Sequence, residues 1–329
     1  MNQTSDSSSG DRARRPAQGR AALLLCLGLT FVFAGCLTAS PPPSSGTGPY
    51  IDDKALLSKL RRAANAPESA YCGITDVLPR APLRAPEGRV PVSASRRRRL
   101  RPDQVYAQCS ASVLVIASLG HCKECGKRHA LSTSAGFVAA FPGVCVTNYH
   151  VAEHEPDATL VAMTQDGAIY PITAVIAADK QCDVAVLQAE GLRAPPLAIA
   201  PDTPAGAPVV IISHPNRKFY TLTQGIVSRY FVRRDAQQAV AQMAVTAEYA
   251  KGSSGAPVLN AAGAVVGMVA TTAPMEAGGE DGKTKYQQMV LRTCIPSNEV
   301  LAVLGAGPST AATLPPVQPA PPGEEGSHP

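Results

Sequence analysis

From about residue 102 to residue 305 one local pattern recurs: a short, valine-rich apolar run followed by a polar or glycine-bearing turn. The runs are Ala111 to Ala117, Ala135 to Ala140, Val144 to Thr147, Thr159 to Met163, Ile172 to Ile176, Val184 to Leu187, Val209 to Ile212, Ile226 to Tyr230, Gln242 to Ala247, Pro257 to Leu259 and Ala264 to Thr271. Each is too short for a buried helix, and their regular spacing predicts an all-β architecture. Helical periodicity is confined to short pieces. Leu56, Leu57, Leu60 and Ala64 predict an amphipathic helix over 52–64 on the outside of the main domain, and Pro296 with Asn298 and Glu299 predicts a single closing helix over 295–304. About 200 residues suffice for one core or for two small barrels sharing a cleft. With no Trp and six Phe, that core is built from Val, Ile, Leu and Ala, which small barrels accommodate.

The flanks set the compartment. Arg12, Arg14, Arg15 and Arg20 precede an apolar run from Ala21 to Ala34 that ends in Phe33-Ala34-Gly35-Cys36. This predicts a signal peptide over 1–35, because the run is shorter than the roughly 20 apolar residues of a membrane-spanning helix. Its end resembles a bacterial lipoprotein box, with Phe33 where leucine is usual. Cys36 is then the lipidated first residue of an exported, membrane-tethered protein, and plain secretion or a retained anchor is the alternative. Residues 36–50 read as a Pro/Ser/Gly tether, 51–101 as a helical and Arg/Pro-rich linker region, 102–305 as the folded domain and 306–329 as a disordered proline-rich tail. The net charge of +5 owes much to the linkers. The run Arg96 to Arg99 lacks aromatic interleaving or any nucleic-acid module, so no nucleic-acid partner is expected.

Three motifs carry chemistry. Thr147-Asn148-Tyr149-His150-Val151 follows an apolar strand and puts an imidazole at a barrel rim, where it can act as a general base near neutral pH. Asp183 opens the apolar run Val184-Ala185-Val186-Leu187, and a carboxylate there needs a partner. His150 is that partner, whereas Asp179 sits in a polar turn. Ser254 lies in Gly252-Ser253-Ser254-Gly255-Ala256-Pro257, where glycines allow a turn whose amides converge. The backbone N–H groups of Gly252 and Ser254 are the expected oxyanion donors. A Gly-Ser-Ser-Gly turn alone is common, but here a strand, a hairpin turn and a second strand follow it. The order His, Asp, Ser points to nucleophilic acyl transfer and excludes the Ser, Asp, His order of an esterase built on a serine elbow. That chemistry needs no cofactor.

These motifs resemble those of trypsin-like peptidases of the bacterial HtrA/DegP type over about residues 105–304. Ser134 to Val138, Val144 to Val151, Cys182 to Leu187, Gly206 to Pro215 and Thr221 to Ser228 each resemble a family motif. The resemblance implies a chymotrypsin-like double β-barrel with a short C-terminal helix, and a serine endopeptidase with His150, Asp183 and Ser254 as its triad. It implies a substrate site at Ala247, Glu248 and Tyr249, with Val269, Ala270 and Thr271 as a docking edge, and unfolded or extended polypeptides as substrates. Glu248 at the pocket base favours a basic residue, Tyr249 as a cap favours small ones, and Glu248 facing water is the third reading. The resemblance also implies a homotrimer. The family's usual Gly-Asn-Ser-Gly-Gly-Pro is altered here at Ser253 and Ala256, neither a catalytic position, and no PDZ module is expected after Leu304. A catalytically inactive protease-like binding protein at the cell envelope is the alternative, against which all three triad residues are present.

Setting aside Cys26 in the leader and the lipidated Cys36 leaves Cys72, Cys109, Cys122, Cys125, Cys145, Cys182 and Cys294. Export permits disulfides, and an odd number leaves one thiol over. Cys122 and Cys125, flanked by His121 and His129, read as a disulfide, as free thiols or as a zinc site. Cys145 and Cys182 lie in apolar strands and are expected to be buried.

Overall fold

The computed structural model describes residues 50–66, 90–92, 99–153, 158–201, 203–234, 239–278 and 285–307. The predicted signal peptide, Cys36, almost all of the tether, Cys72 and the tail beyond residue 307 lie outside the described residues. Among those described, no helix is long and apolar enough to cross a membrane.

Two antiparallel sheets of six strands make up the domain. The first contains β1 (Val113–His121), β2 (Arg128–Ala140), β3 (Val144–Thr147), β4 (Thr159–Met163), β5 (Ile169–Asp179) and β6 (Val184–Ala189). Its order is β1-β2-β3-β6-β5-β4, and β1 returns to pair with β4. The second contains β7 (Pro208–Ser213), β8 (Thr221–Arg234), β9 (Ala239–Val245), β10 (Pro257–Asn260), β11 (Val265–Gly278) and β12 (Lys285–Pro296). Its order is β10-β11-β12-β9-β8-β7, and it closes through β7 and β10. This is a chymotrypsin-like β-sheet fold.

The alternation of side chains explains why several strands read as unbroken apolar runs. Leu114 and Ile116 of β1 join Val138, Leu160, Ile172 and Leu187 in one cluster enclosed by the first sheet. Val113, Val115 and Ala117, on the opposite face of the same strand, pack in a second cluster with Ile212, Phe219, Tyr220 and Met268 of the other half. A strand buried on both faces has no polar side to show. Ile211 and Val258 likewise join a third cluster within the second sheet, with Val227, Val245 and Val266.

Helix α1 (Asp53–Ala64) is capped by Asp52, whose carboxylate accepts from the Ala55 N–H at 2.9 Å. It buries Leu56, Leu60, Ala63 and Ala64, as its periodicity predicts. The closing helix α4 spans Ser297–Val303, shorter than expected because the chain up to Pro296 is committed to β12. The expectation of a lone C-terminal helix in the domain is corrected by two further helices, α2 (Pro102–Cys109) and the single turn α3 (Tyr149–Ala152). Two pieces of the Arg/Pro-rich segment touch the domain: Val92 bridges to Ile199, and the Leu100 N–H donates to the Ala261 carbonyl at 2.6 Å.

The halves are bolted together by polar groups as well as by apolar contact. His214, just after β7 and fully buried, bonds to the Leu114 carbonyl through Nε2 at 3.0 Å and accepts the Tyr220 N–H at Nδ1, also at 3.0 Å. Since a carbonyl only accepts and an amide only donates, this is a neutral imidazole with its proton on Nε2. The Tyr220 hydroxyl adds contacts to the Val113 and Met163 carbonyls at 3.3 and 3.4 Å. His214 therefore belongs to the junction between the halves.

Burial pushes the His214 pKa down to about 4, against about 6.5 for an unfolded histidine. The unfolded chain then binds the extra proton between these values, so the stability this neutral ring contributes is complete above about pH 6.5 and is lost as pH falls through about 4. The expected loss is about 3 kcal/mol, at about 1.4 kcal/mol per unit. Urea unfolding across that window is predicted to show a steeper decline for the wild type than for His214→Gln. Equal slopes would contradict the buried, neutral assignment.

Candidate active site

His150 sits on α3, which begins directly after β3 with Asn148 as its cap residue. Asp183 stands immediately before β6, and β6 pairs with β3 through Thr147 and Ala185. Strand pairing thus brings together two residues 33 positions apart. The Asp183 carboxylate lies 3.0 and 2.9 Å from His150 Nδ1 through its two oxygens, and Oδ1 also accepts the His150 backbone N–H at 3.0 Å. One carboxylate thus engages both the ring and the backbone of His150. A carboxylate facing Nδ1 fixes the proton there and leaves Nε2 as the free acceptor.

Asp183 adopts a φ of 58°, in the left-handed region that costs a non-glycine residue energy. Its carbonyl accepts from Asn148 Nδ2 at 3.0 Å, a bond that helps hold this backbone. Asn148 is fully buried, and its role next to Asp183 was not read from the sequence, although the residue stood in a quoted motif. On the other side, the Cys182 thiol contacts the buried Glu299 carboxylate of α4 at 3.6 Å, and burial pushes that thiol's pKa well up. Asp179 behaves as a turn former: its Oδ1 accepts the N–H groups of Gln181 and Cys182 at 2.8 and 2.9 Å.

Ser254 arrives from the second half, on the loop between β9 and β10. Gly252 and Gly255 have φ values of 95° and 86°, which their lack of a Cβ permits. The Ala135 N–H of β2 donates to the Ser254 carbonyl at 2.8 Å, the Gly255 N–H to Val269 at 3.0 Å, and Thr147 Oγ1 to the Ala135 carbonyl at 2.7 Å. A side chain at Gly255 would overlap the Ala135 carbonyl and the Thr147 hydroxyl. The serine loop is therefore wedged against the strand end from which His150 departs.

Within the loop, the Ser253 N–H bonds to Ala250 and the Ala256 N–H to Ser253, both at 3.0 Å, while the Gly252 and Ser254 N–H groups have no partner among the described residues. The buried Ser253 hydroxyl donates to Ser213 at 3.1 Å, which explains why serine suits a position where the resembling family has asparagine. The half-buried Ser254 hydroxyl donates to the Ala270 carbonyl at 3.2 Å, not to His150.

Ala247 is buried in the second sheet's core, and Glu248 is exposed and paired with Arg292 at 3.1 Å. The Tyr249 hydroxyl lies 2.9 and 2.8 Å from the Thr271 and Thr293 carbonyls, which share its single proton and fix its ring against β11 and β12. Val269 and Ala270 are buried, and Thr271 is exposed. The β11–β12 register slips between Val269 and Thr271, so Ala270 forms a bulge beside Ser254.

The described cysteines, Cys109, Cys122, Cys125, Cys145, Cys182 and Cys294, are free thiols. Cys145 and Cys182 are buried, as expected, and burial pushes the Cys145 thiol up to about 12, unlike a reactive thiolate. Cys122, Cys125 and His129 converge, with ligand atoms within 4.8 Å of one another, and His121 is not part of the group. Backbone N–H groups of Cys125 and Glu124 that face the Cys122 sulfur lower its thiol to about 7.

A family model described as "Trypsin-like peptidase domain" matches residues 134–268. A probable periplasmic serine endoprotease DegP-like of Pseudomonas fluorescens is 33% identical over 144 residues, 43% of this chain and 30% of that protein. Serine protease HTRA2, mitochondrial, of Bos taurus is 31% identical over 173 residues, 50% of this chain and 37% of that protein. The serine endoprotease structure from Yersinia pestis is 18% identical, covering 62% of this chain and 65% of that one, with a TM-score of 0.47. The chain thus spans about a third of the length of these two curated relatives. With His150 and Asp183 in contact beside a wedged serine loop, the family-model match and the two curated relatives lead to one conclusion: residues 134–268 belong to a trypsin-like peptidase domain, similar to serine proteases of the HtrA/DegP type.

Proposed function

We propose that this protein is a serine endopeptidase acting on unfolded or extended polypeptides outside the cytoplasm, with His150, Asp183 and Ser254 as its catalytic triad. The observation that carries this reading is the two-oxygen contact between Asp183 and His150 Nδ1 beside a loop with two amides that have no partner among the described residues. The Ser254 hydroxyl, turned about its side-chain bond from the Ala270 carbonyl toward His150 Nε2, gives up its proton as its oxygen attacks the scissile carbonyl. Asp183 supports the imidazolium that results. The N–H groups of Gly252 and Ser254 take the developing oxyanion, each such donor being worth about 3 kcal/mol in the transition state. Protonation of the leaving amine by His150 and attack by water then regenerate the serine. Freed of the serine proton, the Ala270 carbonyl accepts an N–H from an extended substrate laid along Val269 to Thr271.

The basic leader and apolar run before Cys36 support export, with Cys36 as the lipid-bearing residue. The two closed six-stranded sheets serve as the double barrel, with the triad on the seam between them. Specificity for small apolar residues fits the pocket better than specificity for basic ones. Glu248 is 79% exposed and already paired with Arg292, and Tyr249 is locked in place by two carbonyls.

Ser254→Ala is expected to retain the wild-type circular dichroism spectrum and melting temperature while hydrolysis of a denatured protein substrate falls by about 10⁴-fold or more. Comparable turnover in both proteins would overturn the proposal. Asp183→Asn is predicted to lower kcat by about 10⁴-fold, with KM nearly unchanged, because the proton on Nδ1 loses its acceptor. A loss confined to KM would instead make Asp183 a binding residue. In a peptide library, cleavage after Ala or Val is expected to exceed cleavage after Lys or Arg, and the opposite ranking would return Glu248 to the floor of the pocket.

A further inference from the structure

We propose that the tip of the β1–β2 hairpin is a zinc site, with the Cys122 and Cys125 thiolates and the Nε2 of His129 as protein ligands. The sequence left this segment open between a disulfide, free thiols and a metal, and four features of its geometry favour the metal.

The turn itself is a tight knuckle. The Cys122 N–H donates to the Lys127 carbonyl at 3.0 Å, and the Gly126 N–H to the Cys122 carbonyl at 2.8 Å. Gly126 has a φ of 66° with open space around it, so the turn bends sharply without hindering anything that approaches from outside.

The spacing fits tetrahedral zinc. With Zn–S near 2.3 Å and Zn–N near 2.05 Å, sulfur and nitrogen on two corners lie about 3.6 Å apart, and Cys125 Sγ and His129 Nε2 are 3.4 Å apart. All three ligand atoms fall within 4.8 Å of one another, so small side-chain rotations close the set around one ion.

The histidine presents the correct nitrogen. His129 Nδ1 is 3.0 Å from the Ala130 carbonyl, which can only accept, so the proton resides on Nδ1 and the Nε2 lone pair faces the sulfurs. A metal-bound histidine is held in this way, with its second nitrogen donating to a carbonyl. The strand that carries it is fixed from outside as well: Asn65 donates to the Arg128 carbonyl at 3.1 Å, Arg128 to the Ala64 carbonyl at 2.8 Å, and Arg217 to the Ala130 carbonyl at 3.4 Å.

The donor set selects the ion. Two sulfurs and an imidazole suit zinc and reject calcium or magnesium, which require oxygen ligands. His121 lies outside the convergence, so solvent supplies the fourth ligand. Binding exchanges two thiol protons for one ion, releases those protons to water and involves no change of oxidation state. The ion would clamp the end of β2, the strand whose Ala135 holds the serine loop.

The test is metal content and spectroscopy on the full chain, purified under reducing conditions and dialysed against metal-free buffer. The expected result is about one zinc per chain. Cobalt(II) added to the stripped protein should give a sulfur-to-metal charge-transfer band and the intense visible bands of a tetrahedral site. Both signals should vanish in Cys122→Ser and in Cys125→Ser, weaken in His129→Asn, and persist in His121→Asn, with circular dichroism confirming that each variant folds. A wild-type protein that binds neither ion while its thiols titrate as free would overturn the proposal. So would cobalt spectra unchanged in the cysteine variants, or a Cys122–Cys125 disulfide found by mass spectrometry in protein recovered from its export compartment.

Discussion

The candidate site depends on one docking constraint: the serine loop of the second sheet must lie against the β2–β3 edge of the first. Ala135 donates its N–H to the Ser254 carbonyl, Thr147 occupies the Ala135 carbonyl, and Gly255 leaves no room for a side chain between them. His150 and Asp183 belong wholly to the first sheet and Ser254 wholly to the second, so neither half holds the chemistry alone. The buried His214 and Tyr220 bonds to β1 serve the same end, holding the halves in one relation through groups that cannot be left unpaired in a dry interface.

This division explains what could be read from the residues alone. Val144–Thr147 and Thr159–Met163 were legible to the residue because both are short, wholly buried runs. The missed strand, β12, has Tyr286 and Met289 exposed on a polar background, so no apolar run marks it. β11 likewise extends past Thr271 into exposed chain, where pairing with β12 rather than burial holds it. Helix α3 is a single turn, too short to leave a periodic signal, and α2 buries only Val105 and Cys109.

The candidate site was legible to a different depth. Each of the three candidate residues follows or precedes an apolar strand in a recognisable setting, and the contact between His150 and Asp183 could be anticipated because a carboxylate opening a buried strand needs a partner. The supporting shell could not. Asn148 bonding the Asp183 carbonyl, Ser213 meeting Ser253, and Glu299 reaching Cys182 are long-range pairings set by the packed strands, and nothing local in the sequence marks them. The converse held at residues 121–129, where the ligand types were plain but only the hairpin's geometry separates His129 from His121.

Labelling the intact protein with a fluorophosphonate tests the central claim most directly, because the reagent bonds only to a serine whose proton is removed and whose oxyanion is held. The account predicts one adduct, mapped by peptide mass spectrometry to Ser254 and abolished in His150→Ala. An unlabelled Ser254 in folded protein, or an adduct that persists without His150, would contradict it.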